Sequence, residues 1–389
     1  MSQAFATPTG FSAADHAAGL ANYLREGEAR VKALGNRGPV RLDADGKLHP
    51  DILDAYWQYG FYIFEGVVEA EEVSLLRADA QAMIDRAPVN RRATVDAAGR
   101  PALGLDYARN PYTFAKPLAD PWGGTELLGG RHPAQMSQPM PRSDAPDDVV
   151  FLMRSMCQAM PSGLRLYGHP KLLAIAASIN GDDFVPFNDA IFVKQPGVGG
   201  SVAWHQDGVT HWDSPQWDEG IHGFNFQVQL YPTTAANCLW VVPSTHKLGR
   251  ANIKQMVIDN GGSEQLPGAV PLVCGAGDVT IVNRQMVHGS FANSSPNMRL
   301  SLTFGFHRRS SVLGARGALS VESEEVYDEK RIFDRSAVIA VAIDARANHY
   351  PDEARFHYQP FAGLEDDFRW NDETFERVIR DYNVNDLAI

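Results

Sequence analysis

Gly223-Phe224-Asn225-Phe226-Gln227-Val228-Gln229-Leu230-Tyr231-Pro232 changes character at every step. On an extended chain Phe224, Phe226, Val228 and Leu230 fall on one side, and Asn225, Gln227 and Gln229 on the other. The apolar side belongs against a core. The other side is less ordinary: each amide needs several hydrogen-bond partners, so the row suits a wet cavity or a solvent-facing sheet surface. The same period of two runs through its neighbours. DAIFVKQPG (189–197), GSVAWHQDG (200–208), NCLWVVPSTH (237–246), AVPLVCGAGDVTIVN (269–283) and MRLSLTFGFHRR (298–309) are short strand-like runs, most bounded by Gly, Pro or Asn. Six such runs after a helical start predict a β-sandwich or barrel with helices packed outside it.

Helical spacing dominates upstream. Residues 13–34 are Ala-rich with scattered charge. Residues 50–60 place Ile52, Leu53, Tyr56 and Trp57 on one face, and 69–88 carry Val73, Leu76, Ala80, Met83 and Ile84 at helical spacing before Pro88. Between the last two lies GFYIFEGVV (60–68), which suits an inner strand. Residues 87–150, rich in Pro, Gly, Arg and Asp, read as long loops, and HPKLLAIAASI (169–179) as a helix entered through Pro170. The tail from 311 is charged and mixed and ends in a helical pattern, NDETFERVIRDY (371–382). No linker separates these parts. The expectation is one domain over 1–389, with a helical part to about 110, a β core at about 180–310 and an extension at about 311–389.

Bulk properties narrow the class. With 389 residues, 44% hydrophobic and 21% charged, the chain can build a sizeable core. A formal net charge of −12 disfavours nucleic acid and anionic lipid as partners. No apolar run approaches the roughly 18 residues that span a bilayer, and the N-terminus shows no export signal. Cys157, Cys238 and Cys274 are odd in number and far apart, which argues against a disulfide framework and for a reducing cytoplasm.

The chemistry concentrates at Trp204-His205-Gln206-Asp207-Gly208, the end of an alternating run. His205 and Asp207, two apart on a strand, project together. They make two thirds of the two-histidine-one-carboxylate set that holds Fe(II) and leaves positions open. His211-Trp212-Asp213 has the same spacing but sits in a loop-like stretch, where ligands are not pre-aimed. Downstream, a Gly-Asp turn and an apolar strand lead to His288-Gly289-Ser290, and Arg299 follows eleven residues later at the start of another alternating strand. Arg299, Ser301 and Thr303 share one face, Leu300, Leu302 and Phe304 the other. An arginine so placed is costly to bury without an anion, and its fork suits a planar carboxylate. A strand-edge arginine paired with a surface acid is the plainer alternative.

A strand-end His-x-Asp, a further His some 80 residues later and an Arg-x-Ser beyond it resemble the phytanoyl-CoA dioxygenase family of Fe(II)/2-oxoglutarate oxygenases. The likeness extends to the helix and "GF" strand of YWQYGFYIFEGVVEAEEVSLLRADA (56–80), to Val193-Lys194-Gln195-Pro196-Gly197, and to Asn237-Cys238-Leu239-Trp240-Val241-Val242-Pro243-Ser244-Thr245-His246. In the last segment the Gly that usually follows the Asn is absent, and Ser244-Thr245 replaces Gly-Ser. The likeness covers roughly residues 50–310.

The resemblance implies a double-stranded β-helix, a cupin-like jelly-roll. It implies His205, Asp207 and His288 as iron ligands, and Arg299 with Ser301 and Ser290 as the clamp on the far carboxylate of 2-oxoglutarate. It also implies O2-dependent hydroxylation of an unactivated C–H of a small organic substrate, with release of succinate and CO2. An acid at Asp207 argues against halogenation, since family halogenases have a small residue there. Asn225 and Gln227 are expected to touch cosubstrate or substrate, with Trp212 and Trp217, in the 208–222 loop, and Lys194 on the substrate side. The alternative is a non-catalytic or non-oxidative cupin-like protein that binds a metal or small anion.

Overall fold

The computed structural model describes residues 10–207, 223–315, 326–384 and 386. Its strands, in chain order, are β1 (Arg37–Gly38), β2 (Phe61–Phe64), β3 (Tyr112–Ala115), β4 (Val149–Met153), β5 (Val185–Lys194), β6 (Val202–His205), β7 (Gly223–Gln229), β8 (Trp240–Val241), β9 (Val270–Pro271), β10 (Val279–Asn283), β11 (His288–Ser290) and β12 (Arg299–His307). They form an eight-stranded sheet, β1-β2-β10-β7-β12-β5-β4-β3, and a four-stranded sheet, β6-β11-β8-β9. Apart from β1 with β2, every pairing is antiparallel. This is the cupin-like double-stranded β-helix that the family resemblance implies, and it agrees with the sandwich or barrel predicted from the period-two runs.

The alternation at 223–232 divides the large sheet. Phe224, Phe226, Val228, Leu300, Leu302, Phe304 and Phe306 are fully or almost fully buried in the main apolar cluster. That cluster is shared with the helices Ala70–Asp85, Pro161–Tyr167, Pro170–Asn180 and Glu329–His349. Each buried Phe or Leu contributes on the order of 1.5–3 kcal/mol to holding helices on sheet. The polar face looks the other way, into a cavity between the sheets. Helix Ala13–Leu34 begins in a capping box, Ser12 with Asp15. It covers the outside of the small sheet, where Tyr23 stacks on Trp240 at 4.8 Å between ring centroids.

Two expectations are corrected. Residues 87–150 are not loops throughout: Thr113 and Leu152 pair within the β3–β4 hairpin, which extends the large sheet at one edge. In the tail the principal helix is Glu329–His349, 21 residues long, while 371–382 forms only a short turn, Asp372–Thr374, running into a π-turn at Phe375–Ile379.

Candidate metal and cosubstrate site

Strand register builds the centre. β6 and β11 run antiparallel with His205 directly opposite His288, and their ring centroids lie 4.0 Å apart. Each Nδ1 sits 2.8 Å from a backbone carbonyl two residues back, Ala203 for His205 and Met286 for His288. A carbonyl only accepts, so Nδ1 carries the hydrogen and each Nε2 is left with a free lone pair. Asp207 lies just past the strand. Its N–H donates to the Arg284 carbonyl at 2.9 Å. Next to it, Gln206 is tied down by its side chain to the Gln285 and Gly249 carbonyls and to the Ala251 N–H. Asp207 Oδ1 comes 3.6 Å from His205 Nε2, and Oδ2 comes 3.8 Å from His288 Nε2. Among the described residues these three form the one group of potential metal ligands, with all ligand atoms within 4.8 Å of one another and all three residues buried.

The protonation states suit a cation. Burial, reinforced by His288, depresses the His205 imidazole well below its ordinary range despite Asp207. Burial likewise lowers His288 against the pull of Asp207. Both imidazoles are therefore neutral, as a metal requires. For Asp207, burial pushes the carboxyl up, but Arg284, His288, Arg131 and His205 outweigh it and hold the carboxyl well below the usual carboxylate range. The donor set, two neutral imidazoles and one carboxylate on one side of an open space, fits a mononuclear Fe(II) centre with positions left for other ligands.

Arg299 lines the same cavity, of about 210 Å³. It is 1% exposed, and among the described residues no carboxylate lies in ion-pair reach of it. Its Nε donates to Ser301 Oγ (3.0 Å), Nη1 to the Asn237 carbonyl (3.2 Å) and Nη2 to Gln227 Oε1 (3.0 Å). Burial lowers its pKa to about 10, so it stays charged at neutral pH. A buried cation held only by neutral acceptors is the fit expected for a cosubstrate carboxylate.

The other expected residues divide. Ser290 and Gln227 line the cavity. Ser301 stands beside Arg299, accepting from its Nε at 3.0 Å while its hydroxyl donates to Gln229 Oε1 at 2.6 Å. Asn225 lines the cavity at the metal end. Its Nδ2 donates to Asp207 Oδ2 (2.7 Å) and its Oδ1 accepts from Arg284 Nη1 (2.9 Å), so it contacts a ligand and not the clamp. Lys194 does not line the cavity. It is buried, with Nζ donating to the Phe291 carbonyl at 2.5 Å. Trp212 and Trp217 lie outside the described residues.

Three residues were not anticipated. Arg131 donates to Asp207 Oδ1 at 3.2 Å. Arg284, packed on Phe187 at 3.9 Å from the ring centroid, faces Asp207 Oδ2 at 3.9 Å. His132 is fully buried and packs against His205, the rings tilted by 32° with centroids 4.2 Å apart. Arg131 and His132 sit in a loop without periodicity, where nothing in the sequence marks them. Arg284 carried one signal: a cation directly following the apolar strand VTIVN.

Fold and site together define a cupin-like metalloprotein with a two-histidine-one-carboxylate centre. The sequence profile of the phytanoyl-CoA dioxygenase family (PhyH) matches residues 56–301, and the chain belongs to that family of Fe(II)/2-oxoglutarate oxygenases. Phytanoyl-CoA dioxygenase 1 of Oryza sativa subsp. japonica is 32% identical over 119 residues, 28% of this chain and 40% of that protein. Phytanoyl-CoA dioxygenase of Arabidopsis thaliana is 29% identical over 138 residues, 33% of this chain and 46% of that protein. The chain thus spans less than half the length of either plant relative in the match. In fold it is similar to the crystal structure of EctD from S. alaskensis with 2-oxoglutarate and 5-hydroxyectoine. The TM-score is 0.50 at 18% identity, covering 74% of this chain and 86% of that one. None of the described helices is long and apolar enough to cross a membrane.

Proposed function

We propose that this chain is an Fe(II)- and 2-oxoglutarate-dependent dioxygenase that hydroxylates an unactivated C–H bond of a small organic substrate, with release of succinate and CO2. One observation carries the reading: His205, Asp207 and His288 converge within 4.8 Å in the same cavity that holds the buried, carboxylate-free Arg299. A protein that merely stored a metal would have no use for the second feature.

In this reading O2 is the oxidant, which bound iron would activate while 2-oxoglutarate gives up two electrons and CO2, one oxygen atom leaving in succinate and the other in the product. The chain's residues do the rest. His205 and His288 offer neutral Nε2 atoms and Asp207 an anionic oxygen. Asn225 and Arg131 hold Asp207 in place, each by one hydrogen bond. Arg299 grips the far carboxylate of 2-oxoglutarate, and Gln227, whose Oε1 is taken by Arg299, keeps its amide N–H groups for the same ligand. Ser290 lines the wall nearby. Burial of His205, Asp207, His288, Arg299, Gln227 and Ser290 excludes bulk water from the reacting centre. The role of the whole chain as one oxygenase domain belongs to the same proposal. So do a cytoplasmic location, which the three buried free thiols suit, and a small molecule, not nucleic acid or membrane, as partner.

The test is anaerobic addition of Fe(II) and 2-oxoglutarate to the protein, followed by O2. A weak visible charge-transfer band and O2-dependent succinate are expected. Fe(II) binding without either one removes the oxygenase reading and leaves a metal-binding protein.

A further inference from the structure

Beyond the groups assigned to iron and 2-oxoglutarate, the cavity wall carries two more guanidiniums, those of Arg109 and Arg154. Neither has an ion-pair partner among the described residues. Arg109 Nη1 is buried and has no hydrogen-bond partner among the described residues. Arg154 has one side-chain hydrogen bond, Nη1 to Thr113 Oγ1 at 2.8 Å. Asp189 acts through space on both guanidiniums and Asp386 on Arg109, but among the described residues no acid is within ion-pair distance of either. Asp189 accepts the Met156 N–H (2.7 Å) and Asn383 Nδ2 (3.2 Å), and Asp386 is paired with Arg335 at 2.6 Å. Burial lowers both arginines, and Arg109 adds to the fall of Arg154, to about 10. Two like charges facing one enclosed space with no carboxylate in contact are costly, and the arrangement makes sense when a ligand brings one.

Their position says which ligand. Gln227, Thr303 and Ala190 are successive cross-strand partners from β7 through β12 to β5. Arg154 follows Met153, whose partner on β5 is Ile191. The row from the β7 amides to Arg154 therefore crosses three strand spacings, roughly 14 Å at about 4.8 Å each. The wall between is apolar, made by Leu152, Ala190, Phe192 and Phe187. Thr303, whose buried Oγ1 has no partner among the described residues, stands beside Gln227 on this row, and Asn188 adds a second polar group from β5. The cavity thus has a metal end, an apolar middle and a cationic end.

We propose that the substrate of this site is a small organic acid whose carboxylate is held by Arg109 and Arg154 while its apolar body lies across β5 and β12 toward the metal. Two guanidinium forks from different segments, the loop before β3 and the residue after β4, suit a planar carboxylate approached from two sides. The inference rests on the oxygenase reading for the place of iron and 2-oxoglutarate, and it names the substrate class which that reading leaves open.

The test uses full-length protein loaded with Ni(II) and 2-oxoglutarate, so that Arg299 is already occupied. Hexanoate, octanoate and phenylacetate, their primary amides and octyl phosphate are titrated in, with Trp122 in the cavity wall providing a fluorescence signal. The carboxylates should bind at least tenfold tighter than their amides and tighter than octyl phosphate. That margin should shrink severalfold in Arg109→Gln and Arg154→Gln and vanish in the double variant. Dependence of 2-oxoglutarate affinity on Arg299, measured separately, scores the oxygenase reading by itself. Equal binding of acids and amides, preference for the phosphate, no binding by any probe, or a preference that survives the double variant in protein with an unchanged melting profile would each overturn the proposal.

Discussion

Asn225 Nδ2 donates to Asp207 Oδ2 at 2.7 Å, and this bond links the large sheet to the one metal ligand that no strand holds. His205 and His288 are fixed by register, since a slip of one residue between β6 and β11 would turn either imidazole to the opposite face. Asp207 lies beyond β6, so its aim depends on what its oxygens meet.

The first prediction follows from that dependence. Asn225→Ala should weaken Fe(II) binding roughly 10–100-fold, the usual cost of losing a group that orients a ligand, while the fold stays intact because Asn225 is only partly buried. Titration with Fe(II) or Ni(II) under anaerobic conditions measures it. Unchanged affinity would show that Arg131 alone suffices to aim the carboxylate.

Arg299 gives the second. Its three donor positions are set by Ser301, Asn237 and Gln227, which fixes the plane of the fork. Lysine keeps the charge but loses two parallel hydrogen bonds, and charge-assisted bonds are worth about 1.5–3 kcal/mol each. Arg299→Lys should raise KM for 2-oxoglutarate on the order of 10–100-fold and change kcat far less. A fall in kcat at unchanged KM would remove Arg299 from cosubstrate binding.

What was legible in the sequence was whatever a short-range period could carry. The split of 223–232 into Phe and amide faces, the pairing of His205 with Asp207 and the polar face of Arg299 all follow from side chains alternating across a strand. Family likeness added His288, whose role depends on a partner strand more than 80 residues away. Two kinds of feature stayed hidden. Arg109 and Arg131 reach the cavity from irregular chain, where no periodicity tells which way a side chain points. The helix Glu329–His349 is hidden in a tail that reads as charged and mixed because Arg335 and Arg346 stand on its buried side, where they pair with Asp386 and Glu72 at 2.6 and 2.7 Å. Burying a charge depends on a distant partner, which local pattern does not report. Lys194 misled for the same reason: its acceptor, the Phe291 carbonyl, is set by tertiary structure alone.

A third prediction concerns pH. His169 caps the helix Pro170–Asn180, its Nδ1 accepting the Lys171 N–H at 3.2 Å. Burial, with Arg346 and Lys171 adding to it, depresses its pKa well below the ordinary value. A folded-state pKa lowered from an unfolded value of about 6.5 means that the unfolded chain takes up the proton first. Stability is therefore full above about pH 6.5 and declines as pH falls from there toward the folded-state pKa. His169→Asn retains a capping acceptor without a titrating ring. The apparent melting temperature should fall between pH 7 and 5.5 in the native protein and fall less in the variant. Parallel curves would assign the loss to other groups.

The last prediction separates a structural residue from the site it supports. Gly60 ends the helix Pro50–Tyr59 with φ at +84°, in the left-handed region. Its carbonyl accepts the Asn283 N–H at 2.8 Å, just before the turn that carries Arg284 to the site. A Cβ at Gly60 would stand 2.5 Å from His246 Nδ1 and 2.9 Å from the Met286 sulfur. His246 has little room to move, being buried with Nε2 at 3.0 Å from the Trp57 carbonyl. Gly60→Ala should therefore destabilise the protein by roughly 2–4 kcal/mol, from backbone strain and overpacking together. Adding His246→Ala removes the nearer clash but neither the Met286 contact nor the positive φ, so the double variant should recover only part of the loss. Full recovery would show that the backbone tolerates alanine there, and no recovery would place the cost in φ and the Met286 contact. Fe(II) affinity of the folded single variant should stay near native. A large drop would mean that the Met286 backbone, whose carbonyl orients His288, had shifted with the clash.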